Sequence, residues 1–286
     1  MPQHIDLIPH LPPRDREGHK GTFGTVMIIG GSLGMAGAAG LAGMAALRTG
    51  CGLVFVACPK EVQSTIASYE PSYLTLGLVA DDSGILTKET RDQFYATLRK
   101  ASAIAIGPGL GKSRLAQELT LELFNGSSKP VVLDADALNL IAEAKSDFQA
   151  ANGVRILTPH PGEMSRLTGL SIAEIEKSRE EIALDFAARQ GCVLVLKGPH
   201  TVVTNGDDYY VNRTGNSGMA TGGSGDVLTG VITSLLAQGL TPFAAAQLGV
   251  YLHGLAGDLA ATRTGEHGVI ASDLPLAVAE AIRQTQ

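Results

Sequence analysis

Residues 25–57 read TVMIIGGSLGMAGAAGLAGMAALRTGCGLVFVA, and this stretch decides the fold. Two short, β-branched apolar runs, 25–30 and 53–57, read as strands. Between them a glycine-punctuated loop opens a helical segment near 35–49 that holds mostly small and apolar side chains. A strand, a crossover helix and a second strand make a unit whose strands lie parallel. Both runs are apolar at nearly every position, as strands covered on both faces must be.

The same alternation continues outward. SAIAIG (102–107), PVVLDA (130–135), VRILTP (154–159) and CVLVLKG (192–198) read as further strands. Helical segments are expected near 60–68, 88–100, 113–124, 136–145, 161–190 with a break near Gly169, 225–238, 242–262 and 271–284. In HTVVTNGDDYYVNRT (200–214), two alternating runs flank Asn205-Gly206, which predicts a hairpin and an antiparallel edge. No linker, composition break or repeat interrupts the chain, so residues 1–286 are expected to form a single α/β domain. Its sheet should be mostly parallel, with helices on both faces.

Composition narrows the function. Of 286 residues, 44% are hydrophobic and 17% charged, with a net charge of -6 and no offsetting basic stretch. That excludes a general nucleic-acid or membrane-surface binder. An anionic small ligand must then be attracted locally, by amides, a lysine or a metal ion. Cys51, Cys58 and Cys192 form no CxxC pair and lie in apolar runs, which predicts buried, reduced thiols and a cytoplasmic protein. The N-terminal segment has no signal-peptide pattern, and no run of 18 apolar residues is present.

Glycine-rich or polar loops follow five of the strands: GGSLGMAG, GPGLG, DADALN, TPHPGE and KGPHT. In a parallel sheet they gather at the carboxyl edge, where ligands bind. GPGLGKS (107–113) misses a Walker A loop by one residue, and GGSLGMAG contains no dinucleotide fingerprint in register. GNSGMATGGSGDVLTG (215–230) is more specific. Ser224 or Gly225 can cap a helix beginning near Asp226, and the glycines before it let backbone N–H groups converge on an anion at the helix's positive end. Asp226 either complements the helix dipole or takes a proton from a hydroxyl as phosphate reaches its oxygen.

Other candidates have two readings each. His160, between Pro159 and Pro161, is presented to a ligand or simply precedes a helix whose first residue is proline. Lys197, at a strand end before Gly198 and Pro199, either faces a phosphate or reaches solvent. Asp134 and Asp136 cap the following helix or hold Mg²⁺ through water. The Gly/Ala-rich helix at 35–50 packs tightly, within the chain or across a subunit interface, or lines a pocket with Gly37-Ala38.

Taken in order, the segment from His19 to Val54, GPGLG, DADALN, LTPHPGE, LKGPHT and GNSGMATGGSGDVLTG resemble the ADP/ATP-dependent (S)-NAD(P)H-hydrate dehydratases. These are ribokinase-like proteins also called the carbohydrate kinase domain family. The resemblance implies a metabolite-repair lyase that restores (6S)-hydrated NADH or NADPH, phosphorylating the C6 hydroxyl from ADP or ATP and eliminating phosphate. It implies that Asp226 is the base and that Gly222, Gly223, Ser224 and Gly225 offer N–H groups to the phosphoryl unit. Nucleotide contacts fall on Lys197, Gly198, Pro199, His200, Thr201 and Gly225. Hydrate contacts fall on Ala38 (or Ala39, one register step on), Gly109, His160 and Asp226, with Asn216 nearby. Mg²⁺ is implied, with Glu163 or Asp134 reaching it through water. The resemblance also implies a homotetramer and, since the match starts at about His19, an epimerase supplied by a separate chain. The rival readings are a ribokinase-like kinase of a small vitamin precursor and a nucleotide sensor without turnover.

Overall fold

The computed structural model describes residues 2–145 and 152–285. Its strands are β1 (Gln3–His4), β2 (Thr25–Ile29), β3 (Leu53–Pro59), β4 (Leu74–Leu78) and β5 (Ala103–Ile106), then β6 (Val131–Leu133), β7 (Arg155–Leu157), β8 (Val193–Leu196), β9 (Val202–Thr204) and β10 (Asp208–Val211). The helices are α1 (Ala36–Thr49), α2 (Lys60–Tyr69), α3 (Lys88–Lys100), α4 (Arg114–Gly126), α5 (Asp136–Glu143) and α6 (Pro161–Thr168). They continue with α7 (Ile172–Lys177), α8 (Arg179–Gln190), α9 (Ser224–Ala237), α10 (Pro242–Thr264) and α11 (Leu274–Thr285).

Among the described residues the strands form one sheet in the order β1-β10-β9-β8-β7-β6-β5-β2-β3-β4. From β8 through β4 every neighbouring pair is parallel, while β9 runs antiparallel to both β8 and β10. The hairpin at Asn205-Gly206 and the parallel α/β core follow the expectation from sequence.

Alternation along the strands fills two cores. Val26, Ile28, Val54, Val56, Ala103 and Ala105 pack with α1, α9, α10 and α11 on one face. Met27, Ile29, Ile104, Ile106, Val131 and Leu133 pack with α3, α4, α5 and α8 on the other. Residues buried on both faces leave no polar alternation, which is why these strands read as continuous apolar runs. On the first face α1 and α9 meet backbone to backbone. A methyl group at Gly230 would collide with the Ala42 carbonyl. The small-residue stripe of α1 is therefore used inside this chain, for close helix packing.

Three local readings change. β1 and β4 were not expected; β1 is two residues long, and β4 is an edge strand with Leu74 exposed. The 161–190 segment is three helices: Gly169 stops α6 in a left-handed conformation, Ser171 caps α7, and Ser178 ends it. Finally, α9 begins at Ser224 with Gly223 as its N-cap at φ 97°, so Ser224 and Gly225 lie inside the helix and neither is its cap. A left-handed N-cap needs glycine, and the helix gains two residues upstream of Asp226.

Candidate active site

β8, β7, β6, β5 and β2 are consecutive in the sheet, so the five punctuated loops stand side by side at its carboxyl edge. The chain winds from β2 toward β4 in one direction and from β5 toward β8 in the other. The switch lies between β2 and β5, where an open parallel sheet leaves a crevice. There Gly31 N–H donates to Pro108 O at 2.8 Å. At the same place Gly109 is left-handed (φ 58°), and a methyl group on it would lie 2.9 Å from Ala38 Cβ. Two of the residues expected to meet the hydrate are thus neighbours, while Ala39 is fully buried.

The centre of the edge is a charged knot. Asp134, just beyond β6 and 1% exposed, accepts hydrogen bonds from Thr158 Oγ1 at 2.8 Å, Lys197 Nζ at 2.6 Å and Thr229 Oγ1 at 2.8 Å. These partners come from the ends of β7 and β8 and from α9. The Lys197 ammonium also lies 3.8 Å from Glu163 Oε2. Burial alone would lower the Lys197 pKa, but Asp134, Glu163 and Asp226 outweigh it and hold the group above its ordinary value. A methyl group on Gly225 would come within 3.4 Å of Lys197 Nζ, so the ammonium lies against the first turn of α9.

That turn carries Asp226. Burial is the main reason its pKa is raised to about 7; Asp134 adds to the rise, Lys197 opposes it, and Asp136 and Glu163 add smaller increments. A carboxyl poised near neutrality is suited to accept a proton. The turn also holds Ser224 Oγ, buried with no hydrogen-bond partner among the described residues. The Ser224 N–H is given to Thr221 O at 3.3 Å, so the anion-site fittings of this turn are the N–H groups that follow it and the orphan hydroxyl. Behind this turn lies His253 of α10, whose pKa burial depresses to about 4, so it is neutral at physiological pH.

His160 and Glu163 form a reciprocal cap on α6: His160 Nδ1 accepts from Gly162 N–H, and Glu163 Oε2 accepts from His160 N–H at 2.8 Å. Pro161 is the first residue of α6, as the structural reading of this loop expected. Burial lowers the His160 pKa, assisted by Lys197 and Arg166, and raises that of Glu163. Gly198, Pro199 and His200 are exposed at the mouth of the edge, with Gly198 at φ 141° and His200 at φ 55°. Thr201 Oγ1 donates to Gly198 O and tightens that turn. Asn216 stands apart from the knot: its amide donates to Asp258 on α10, and its Oδ1 accepts from Gly218 N–H.

Sequence reasoning read Asp134 as a cap of the following helix or a Mg²⁺ ligand through water, whereas its side chain accepts three hydrogen bonds at the centre of the knot. Asp136 does not cap α5 with its side chain; Ala135 is the N-cap, and Asp136 Oδ2 accepts from Gly111 N–H at 2.8 Å, tying two of the edge loops together. For a divalent cation the fit is selective. Asp134 has both oxygens engaged by protein donors, whereas Glu163 Oε1 has only a 3.4 Å approach from His160 Nε2. No group of three or more His, Cys, Asp or Glu among the described residues forms a metal cage. Such an edge suits a Mg²⁺ carried mainly by phosphate and water oxygens.

With this geometry in place, comparison with known proteins is informative. The family model described as NAD(P)H-hydrate dehydratase matches residues 26–280. The ADP-dependent (S)-NAD(P)H-hydrate dehydratase of Neisseria meningitidis is 40% identical over 272 residues, 93% of this chain and 88% of that one. The bifunctional NAD(P)H-hydrate repair enzyme Nnr of Moorella thermoacetica is 45% identical over 92% of this chain, which spans only 50% of that protein. The chain spans about half the length of several such curated relatives. Among solved structures, the ADP/ATP-dependent NAD(P)H-hydrate dehydratase of Bacillus subtilis, co-crystallised with ATP and Mg²⁺, superposes with a TM-score of 0.82 at 35% identity, covering 97% of this chain and 95% of that one. The fold is ribokinase-like, and the chain belongs to the NAD(P)H-hydrate dehydratase family.

Proposed function

We propose that this protein restores (6S)-hydrated NADH and NADPH to their reduced dinucleotides, consuming ADP or ATP. The observation that carries the reading is Asp226, a carboxyl with its pKa raised to about 7, one residue from the point where the Lys197 ammonium meets the glycine-rich turn of α9. Hydroxide is a poor leaving group, and phosphate is a good one. Asp226 takes the proton of the C6 hydroxyl as its oxygen attacks the terminal phosphorus, and the bond from that phosphorus to the bridging oxygen breaks. AMP leaves when the donor is ADP, and ADP leaves when it is ATP. Electron release from the ring nitrogen then expels phosphate from C6, and loss of a C5 proton, taken up by the released phosphate or water, restores the C5–C6 double bond of the dihydronicotinamide.

N–H groups of Gly222, Gly223, Ser224 and Gly225 stabilise the charge on the migrating phosphoryl group, and Lys197 balances the departing phosphate. Residues 197–201 hold the nucleotide, while Ala38, Gly109 and His160 face the hydrate. Mg²⁺ neutralises phosphate charge when bound; Glu163 is the better placed of the two candidate carboxylates to reach it through water. We read this chain as a dehydratase domain, cytoplasmic and tetrameric, whose substrate epimer is supplied by a separate active site. The Moorella relative, about twice as long, is named bifunctional, which fits a second activity carried outside the region this chain matches.

The test mixes hydrated NADH, ADP or ATP, Mg²⁺ and protein and follows the returning absorbance of the dihydronicotinamide ring. Recovery with release of AMP or ADP and phosphate is expected. A phosphorylated vitamin precursor forming from candidate alcohols, with no dinucleotide restored, would replace this reading with that of a small-molecule kinase.

A further inference from the structure

Lys197 is held at three of its atoms by three different parts of the chain. Its N–H donates to Pro159 O at 2.8 Å, and its ammonium reaches Asp134. Its carbonyl is held by Arg179, the first residue of α8, whose Nη2 donates to Leu196 O at 2.8 Å and to Lys197 O at 3.1 Å. The Arg179 side chain is 13% exposed, and its Nη1 lies 3.1 Å from Glu176 Oε1. A methyl group on Gly198 would approach both terminal nitrogens of Arg179 to 3.1 Å. The glycine after Lys197 therefore leaves room for this guanidinium as well as for its own positive φ.

Resting on the reading of residues 197–201 as the nucleotide loop, we propose that Arg179 is a positioning residue for the phosphoryl donor. It touches no ligand. It fixes the peptide groups on both sides of the Lys197 Cα, so that a long, flexible lysine stem starts from one defined direction. Both carbonyls are served by the two N–H bonds of Nη2, whose directions the planar guanidinium fixes, whereas the N–H bonds of an ammonium rotate freely about its stem. The competing account is that Arg179 merely ties α8 to the sheet and contributes only stability.

A double-mutant cycle on the full chain separates the two. Arg179→Ala is expected to lower kcat/KM for ADP by roughly 10- to 100-fold, the range for removing a charge-assisted hydrogen bond. Most of that loss should fall on KM for ADP and little on KM for the hydrate. In the Lys197→Ala background the same substitution should cost less than about 3-fold, because the group being positioned is gone. Arg179→Lys should recover only part of the loss, and added methylguanidine should restore part of the Arg179→Ala rate. Glu176→Ala, which touches only Nη1, should behave as the parent protein.

Equal losses in both Lys197 backgrounds, or a loss tracking thermal stability across variants, would overturn the proposal. Should Arg179→Ala fail to fold, the cycle is run with Arg179→Lys. Calorimetric titration with ADP reads the same coupling without turnover. A parent protein that binds ADP yet restores no dinucleotide would sink the dehydratase reading, while the binding cycle would still decide the role of Arg179.

Discussion

The Lys197 ammonium meets the Asp134 carboxylate at 2.6 Å, just beyond the ends of three adjacent parallel strands, and two threonine hydroxyls complete the carboxylate's shell. Three protein donors on the roughly four lone-pair directions of this buried carboxylate fix its position and leave little for a ligand. Removing one member of such a pair exposes the other to burial without compensation. Asp134→Ala should therefore cost about 3–5 kcal/mol of unfolding free energy, read by chemical denaturation. Thr229→Val, which removes one donor and keeps the shape, should cost about 1–2 kcal/mol.

Asp226→Asn tests the proposed base. The rate of dinucleotide restoration should fall by about 10²- to 10⁴-fold, the contribution of a positioned proton acceptor. Calorimetry should find ADP affinity within a few-fold of the parent. A variant that keeps its rate would remove Asp226 from the chemistry.

Acidity should affect rate and stability in opposite directions. Asp226 must be ionised to accept a proton, so kcat/KM should climb as pH rises through about 7 and level off above it. Its folded-state pKa lies above the unfolded one. The native form therefore binds more protons between the two values, and stability is lost as pH rises through that interval. Melting curves of Asp226→Asn should accordingly lack this contribution to the decline, leaving the variant at least as stable as the parent at pH 8.

Close helix contact gives a prediction with an internal control. Gly230→Ala forces a methyl group into the Ala42 carbonyl and should destabilise by roughly 1–3 kcal/mol, the cost of overpacking. Gly222→Ala meets nothing within 4 Å and should unfold within about 0.5 kcal/mol of the parent.

Burial raises the thiol pKa of Cys51 and Cys58 to about 11 and that of Cys192 to about 12. Only the thiolate reacts readily, so iodoacetamide at pH 7.5 should leave the native chain unlabelled and modify all three cysteines after denaturation, as read by mass spectrometry.

Most of the sheet was legible because a strand covered on both faces must be apolar throughout, as TVMII and VLVL are. β4 was not: Leu74–Leu78 lies at an edge, includes Gly77 and leaves Leu74 exposed, so it carries no comparable run. β1 is held by backbone pairing to β10, which leaves no trace in side-chain pattern. At the site, Asp226, Lys197 and His160 drew notice because each sits in or directly after a glycine- or proline-marked loop. Asp134 was visible, but its neighbours Thr158 and Thr229 come from distant segments, so its central place was not. Arg179 lies in an ordinary helical stretch 17 residues before the carbonyl it holds. Nothing local distinguishes it from a solvated arginine.

The helix that presents Asp226 is also the helix whose backbone touches α1 in the middle of the molecule. Its first turn consequently has no hinge of its own along which to melt. Deuterium uptake at the amides of Val227 to Val231 should keep pace with opening of the entire sheet, and loss of catalysis on heating should coincide with the cooperative transition, with no inactive but folded form preceding it.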